Sequence, residues 1–207
     1  MKKKILLVGG SGFIGHNLAL VLREKGHEPY VVDSLSINNL LSISDSEIKN
    51  KDLYSKILNK RIELLDDKKI YFKKIDARNN DLINKVYSEI NPDIIIHLAA
   101  VSHSNKSNKF PHITFDNSLR TLENTLDFAK NSKTHVIYLS SSMVYGEFNG
   151  KSVDEGSTCN PIGIYGTFKY AGELIVKSYH QIFQIPYTII RPSALYGERC
   201  VSRRVGQ

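Results

Sequence analysis

The chain has 207 residues, of which 41% are hydrophobic and 24% charged, with a formal net charge of +7. At about 150 residues per domain this predicts one large unit with a real core, and the composition excludes a disordered or collagen-like chain. The apolar runs, such as Ile5–Val8 and Ile94–Ile96, are a few residues long and fall far below the roughly 20 that cross a bilayer, which excludes a helical membrane protein.

Lys2, Lys3 and Lys4 look like the basic start of a secretory signal, but four apolar residues precede Gly9 and Gly10, where about 7 to 15 are usual. A cytoplasmic chain is therefore expected. Residues 4–8 read as a short buried strand, 13–25 as a helix ended by Gly26, and 29–32 as a second strand. Between Lys49 and Lys74 nine basic residues (Lys49, Lys51, Lys56, Lys60, Arg61, Lys68, Lys69, Lys73, Lys74) meet four acids. This segment carries +5 of the net charge. Leu53, Ile57, Leu58, Leu64 and Leu65 recur there at helical spacing, so an amphipathic surface insertion at about 36–68 with a solvated lysine-rich face is expected, and no nucleic-acid partner. A strand at 70–74, a helix at 81–90, a strand at 93–98, a helix at about 111–131, a strand at 134–139, a helix at about 162–183 and a strand at 186–190 complete the series. Six strands alternating with helices predict an α/β fold, a doubly wound parallel sheet with helices on both faces. Their unbroken Ile, Leu and Val runs fit burial on both sides. Cys159 and Cys200, lying far apart with no second pair, support neither a disulfide framework nor a metal site.

The first predicted strand ends in Gly9-Gly10-Ser11-Gly12-Phe13-Ile14-Gly15, which opens directly into a helix. Glycines there permit a tight turn and let the backbone approach a pyrophosphate, whose charge the helix N-terminus favours. Asp33 follows 21 residues after Gly12, at the end of the second strand. A carboxylate there can accept hydrogen bonds from ribose hydroxyls and repels a 2′-phosphate, which favours NAD over NADP.

Tyr165 and Lys169 stand four apart, a spacing that puts both on one helix face. A nearby ammonium favours phenolate, so Tyr165 could take a hydroxyl proton while hydride leaves the same carbon. Ser140, Ser141 and Ser142 end the preceding strand, at the carboxyl edge where doubly wound sheets bind ligands. His97, at the end of a buried strand, reads as a structural histidine rather than an acid or base.

These pieces, with Asp76-Ala77-Arg78, His97-Leu98-Ala99-Ala100, Ser140–Gly146 and Arg191-Pro192, make the whole chain resemble the extended short-chain dehydrogenases/reductases of the NAD-dependent nucleotide-sugar epimerase/dehydratase family. The resemblance implies a Rossmann-like fold and a cofactor site at Gly9, Gly12, Phe13, Ile14, Gly15, Asp33 and Ser34. It extends that site to Asp76 and Ala77 near the adenine, Leu98, Ala99, Ala100 and Ser140 along the dinucleotide, Tyr165 and Lys169 at the nicotinamide ribose, and Pro192 beside the carboxamide. It gives Ser141 the catalytic serine role beside Tyr165 and Lys169.

Family members that dehydrate the sugar resemble one another in having acids just after the catalytic hydroxyl, because eliminating water needs a further acid and base. Ser142 and Met143 cannot serve, which ranks a 4-epimerase acting on a UDP-hexose above a 4,6-dehydratase. A reductase of the family is ranked lower too, since it often uses NADPH. The resemblance also implies a smaller substrate lobe beyond the sixth strand, so a truncated chain is expected, with a catalytically inert NAD-binding fragment as the alternative. Ala194 stands where family members commonly have a diphosphate-binding asparagine, and Arg199, Arg203 and Arg204 could meet phosphate or simply be solvated. By analogy with relatives, the two long helices could pair copies into a homodimer.

Overall fold

The computed structural model describes residues 1–37, 39–44, 50–102, 104–148, 150 and 152–201. Lys49, Arg203 and Arg204 lie outside them. The chain runs β1 (Lys4–Val8), α1 (Phe13–Glu24), β2 (Glu28–Asp33), α2 (Leu40–Ser44), α3 (Lys51–Asp67), β3 (Tyr71–Lys74), α4 (Asn80–Ile90) and β4 (Ile94–His97). It continues through α5 (Ser104–Lys109), α6 (Pro111–Phe115), a π-helical turn (Asp116–Arg120), α7 (Thr121–Ser132), β5 (His135–Leu139), a 3₁₀ turn (Ser142–Tyr145), α8 (Gly163–Phe183) and β6 (Tyr187–Ile190). All five strand pairings are parallel, in the order β3-β2-β1-β4-β5-β6.

Alternation along β1 sorts the core into two layers. Leu6 and Val8 face Val32, Ile83, Val86, Tyr87 and Ile95 beneath α4. Ile5 and Leu7 face Ala19, Val31, Leu65 and Ile96, beneath α1 and α3. The α4 side continues over β5, where Leu122 and Leu126 of α7 and Val176 of α8 pack on Val136 and Tyr138. On the opposite side Thr188 and Ile190 of β6 are exposed, so among the described residues the helical cover there stops short of the sheet edge.

Two details depart from the sequence expectation. The helix expected at 111–131 is interrupted by the π turn, around which side chains compete for backbone acceptors. Asn117 Nδ2 donates to Ile113 O at 2.8 Å, and Thr121 Oγ1 donates to Asn117 O at 3.1 Å and Ser118 O at 3.3 Å. Such back-bonding to the preceding turn perturbs an α-helical ladder. The second departure is α5, a polar helix with no apolar periodicity to announce it. Its Asn108 carries out a task that α8 leaves undone. Ile162 heads α8 without a side-chain cap, and Asn108 Oδ1 accepts from Ile164 N at 3.0 Å instead. Asn108→Ala is therefore expected to lower unfolding stability by about 1 kcal/mol, measured by urea denaturation. An unchanged midpoint would show that α8 needs no cap from α5.

Candidate active site at the carboxyl edge of the sheet

Sheet order reverses between β1 and β4, and ligands of doubly wound sheets bind outside the strand ends at such a point. The glycine loop lies there. Gly9 N and Gly10 N donate to Val32 O at 2.8 and 3.2 Å, which folds the loop against β2. Gly9 has φ +80°, and a Cβ on it would come within 2.7 Å of Ala99 N. A Cβ on Gly15 would meet Gly10 Cα at 2.5 Å. The loop therefore sits tightly between β2 and the Leu98–Ala100 segment, with Leu98 N donating to Val8 O at 2.8 Å. Gly12 precedes Phe13 and Ile14, which open α1, and the first turn of that helix holds no acid. A Cβ on Gly12 would have one neighbour within 4 Å, Gly9 O at 3.2 Å. This bare turn, with its free helical N–H groups, fits a pyrophosphate.

Asp33 closes β2 with its carboxylate held from both sides: Leu35 N donates to Oδ1 at 2.8 Å and Ser11 N to Oδ2 at 3.1 Å. Burial raises its pKa against the pull of those donors. Ser34, the next residue, accepts from Ser36 N at 3.2 Å. Asn39, which sequence reasoning missed, is buried and donates to Ser11 Oγ at 2.8 Å. Asp76 is clasped by Arg78, whose Nε and Nη2 reach its carboxylate at 3.0 and 2.6 Å. Those hydrogen bonds hold its pKa below the usual carboxylate value. Ala77 O accepts from Asn124 Nδ2 at 2.8 Å.

On the other side of the reversal, Ser141 heads the 3₁₀ turn, its Oγ accepting from Met143 N at 3.2 Å. Tyr165 and Lys169 project from one stripe of α8, partly and almost fully buried respectively. Lys169 Nζ donates to Leu139 O at 2.6 Å and lies 5.2 Å from the centre of the Tyr138 ring. Burial lowers its pKa to about 8. The helix can approach this closely because it carries glycine where the turn and strand press against it. A Cβ on Gly166 would lie 2.7 Å from Met143 O, and one on Gly172 would lie 2.3 Å from the Tyr138 hydroxyl. Ser140 sits behind the edge, donating its hydroxyl to Glu173 Oε1 at 2.5 Å and its N–H to Ile190 O at 2.8 Å. Pro192 O accepts from Ser142 N at 2.9 Å, placing residue 192 beside the same turn. His97 is enclosed, with Nδ1 3.0 Å from Thr125 Oγ1 and Nε2 3.4 Å from Thr121 Oγ1.

The basic insertion needs one correction. Lys60 and Lys68 sit at the surface with acidic partners, but Arg61 is only 1% exposed. It shares the inner stripe of α3 with Leu58 and Leu65. Its Nε and Nη2 both donate to Arg199 O, at 3.2 and 2.6 Å. Arg199 in turn donates from Nε to His16 Nε2 at 2.8 Å and from Nη2 to Asn17 Oδ1 at 2.7 Å. The segment after β6 is thereby fastened across to the first turns of α1. Arg61 fills a helical position that apolar neighbours share, but no spacing rule identifies a backbone carbonyl 138 residues away as its partner.

Glu173 and Arg191 are the other residues that the site's chemistry did not single out in advance. Glu173 stands one turn beyond Lys169 on α8, which was a usable signal. Its partnership with Arg191, at 2.6 Å, was not.

Known proteins share the sequence pattern and the fold. Residues 5–206 match the NAD dependent epimerase/dehydratase family. Two Dictyostelium discoideum proteins are similar: a dTDP-D-glucose 4,6-dehydratase, 30% identical over 95% of this chain and 45% of its own length, and a UDP-glucose 4-epimerase, 28% identical over 84% of this chain and 46% of its own. Among solved structures, the UDP-glucuronic acid 4-epimerase of Bacillus cereus in complex with NAD is 28% identical. It superposes with a TM-score of 0.76 over 95% of this chain and 59% of its own. The chain spans about half the length of the curated relatives it matches. Among the described residues no helix is long and apolar enough to cross a membrane, and no group of metal-ligating side chains is assembled. With nearly every residue covered by that match, the chain belongs to the NAD-dependent epimerase/dehydratase family.

Proposed function

We propose that this chain is an NAD-dependent nucleotide-sugar 4-epimerase acting on a UDP-hexose. The observation that carries this reading is the meeting, on one sheet edge, of a bare helix N-terminus and Asp33 on one side of the reversal with Ser141, Tyr165 and Lys169 on the other. NAD, when bound, supplies reversible acceptance of a hydride.

This chain's own residues handle position and proton. The first turn of α1 holds the pyrophosphate, and Asp33 accepts from the adenosine ribose. Tyr165, as phenolate, takes the proton of the sugar C4 hydroxyl, and the Lys169 ammonium, carried one helix turn along on the same stripe, favours that ionised form. Ser141 donates a hydrogen bond to the same oxygen and holds it as it becomes a carbonyl. After the keto sugar presents its opposite face, Tyr165 returns the proton. Ser142 and Met143, next to Ser141, offer no second acid or base, which supports epimerisation over loss of water.

Calorimetry with NAD and NADPH, followed by assay of UDP-glucose and UDP-galactose interconversion, tests the reading. NAD is expected to bind more tightly than NADPH, and interconversion is expected. Tight NADPH binding without NAD binding would refute the cofactor assignment. NAD binding without interconversion would remove the sugar half of the proposal and leave a dinucleotide-binding module.

A further inference from the structure

Glu173 is the one acidic side chain fully buried among the described residues, at 0% exposure. Its Oε1 accepts from Ser140 Oγ at 2.5 Å and Arg191 Nε at 2.9 Å, and its Oε2 accepts from Arg191 Nη2 at 2.6 Å. Arg191 reaches onward through Nη1 to the Tyr145 hydroxyl at 3.0 Å, and its guanidinium lies 5.0 Å from the centre of that ring. One turn earlier on α8, Lys169 grips Leu139 O. Backbone bonds from Ser140 N to Ile190 O and from Ser142 N to Pro192 O, at 2.8 and 2.9 Å, close the arrangement. A single carboxylate thus ties together α8, the turn at 139–145 and the segment at 190–192.

Being enclosed, Glu173 is not exposed to the cleft. Replacing a buried ion pair by apolar groups of similar volume is often neutral or stabilising, so stability alone is a weak account of it. Fixed geometry is a better one. The dinucleotide crosses the sheet where strand order reverses, with its pyrophosphate on α1 and its adenosine toward β2 and Asp33. Its other nucleoside must then lie over the ends of β4, β5 and β6. The three segments that Glu173 joins form that floor.

We infer that Glu173 is a positioning residue for the nicotinamide end of the NAD site, holding Ser141, Lys169 and Pro192 in mutual register. The inference rests on NAD as cofactor, and it is tested without any sugar. ADP shares the adenosine and diphosphate of NAD but lacks the whole nicotinamide riboside, so the ratio of the two affinities isolates the nicotinamide end. In Glu173→Gln, which keeps the shape and loses the charge, calorimetry is expected to show NAD affinity reduced about tenfold, a difference near 1.4 kcal/mol, with ADP affinity unchanged. Ser140→Ala, which removes one donor to the carboxylate, should shift the ratio in the same direction by less, and it decides the matter if Glu173→Gln does not fold. A parallel loss for both ligands would mark Glu173 as a general structural residue and overturn the inference, as would no change in either. If the unsubstituted chain fails to bind NAD, the cofactor reading falls and takes this inference with it. An unchanged ratio in a chain that binds NAD defeats this inference alone.

Discussion

Tyr165→Phe is expected to lower interconversion of the sugar nucleotides by about 10²- to 10⁴-fold, the usual contribution of a positioned general acid–base, with NAD affinity unchanged. The argument is geometric first. Phenylalanine keeps the ring and removes only the group that exchanges a proton with the sugar oxygen, so the cofactor contacts of α1 and Asp33 are undisturbed. Electrostatics then predict the pH dependence. Lys169 is buried with a pKa lowered to about 8, so its cation is present at neutral pH and is lost as pH rises through that value. The support for tyrosinate goes with it, and turnover should fall on the alkaline side at about pH 8. Initial rates for both proteins across pH, beside calorimetric titration with NAD, provide the check. Undiminished turnover in Tyr165→Phe would place the base elsewhere.

How much of this was legible in the sequence depends on the range of the interaction. The strands were legible because burial on both faces demands continuous apolar runs, as in Ile94–Ile96. The spacing of Tyr165 and Lys169 was legible because one helix turn separates them, and the glycine loop because its strand and helix are adjacent in the chain. Glu173 satisfied the same helical spacing, yet its role depends on Arg191, 18 residues away across a turn and a strand. Arg61 looked like one more solvated cation, since its burial depends on Arg199, 138 residues on. The π turn at 116–120 left no periodic trace because the side-chain bonds to nearby carbonyls around it belong to individual polar residues rather than to a repeating apolar pattern. Local patterns report elements; partners distant in sequence decide which polar groups those elements bury.

Two buried histidines make a second large effect, a loss of stability in mild acid. His16 is held neutral by its surroundings: its Nδ1 lies 2.8 Å from Gly12 O, and its Nε2 accepts from Arg199 Nε. Burial, first, and the charges of Arg61 and Arg199 lower its pKa to about 4. His97 is lowered to about 3 by burial and by the charge of Lys169. In the unfolded chain both titrate near their ordinary value of about 6.5. Above that pH neither state binds the proton and the native state has its full stability. Between about 6.5 and 4 the unfolded chain binds two protons that the folded chain refuses, so stability falls as pH falls, by on the order of 3 kcal/mol per pH unit at the steepest. Asp33 opposes the trend, since its raised pKa lets the folded state take up a proton more readily than the unfolded one. Asp76, Asp93 and Asp127, all with lowered pKa values, withdraw their support only below the ordinary carboxylate range. Urea midpoints measured from neutrality down to about pH 4.5 should therefore drop steeply before the carboxylates titrate, and His97→Gln should roughly halve that slope by removing one of the two protons. The slope, rather than the absolute stability of the variant, is the readout, because the substitution also disturbs the hydroxyl contacts of Thr121 and Thr125. A midpoint that stays level to about pH 4.5 would show that the two rings accept protons in place, and that His16 is not obliged to remain an acceptor for Arg199.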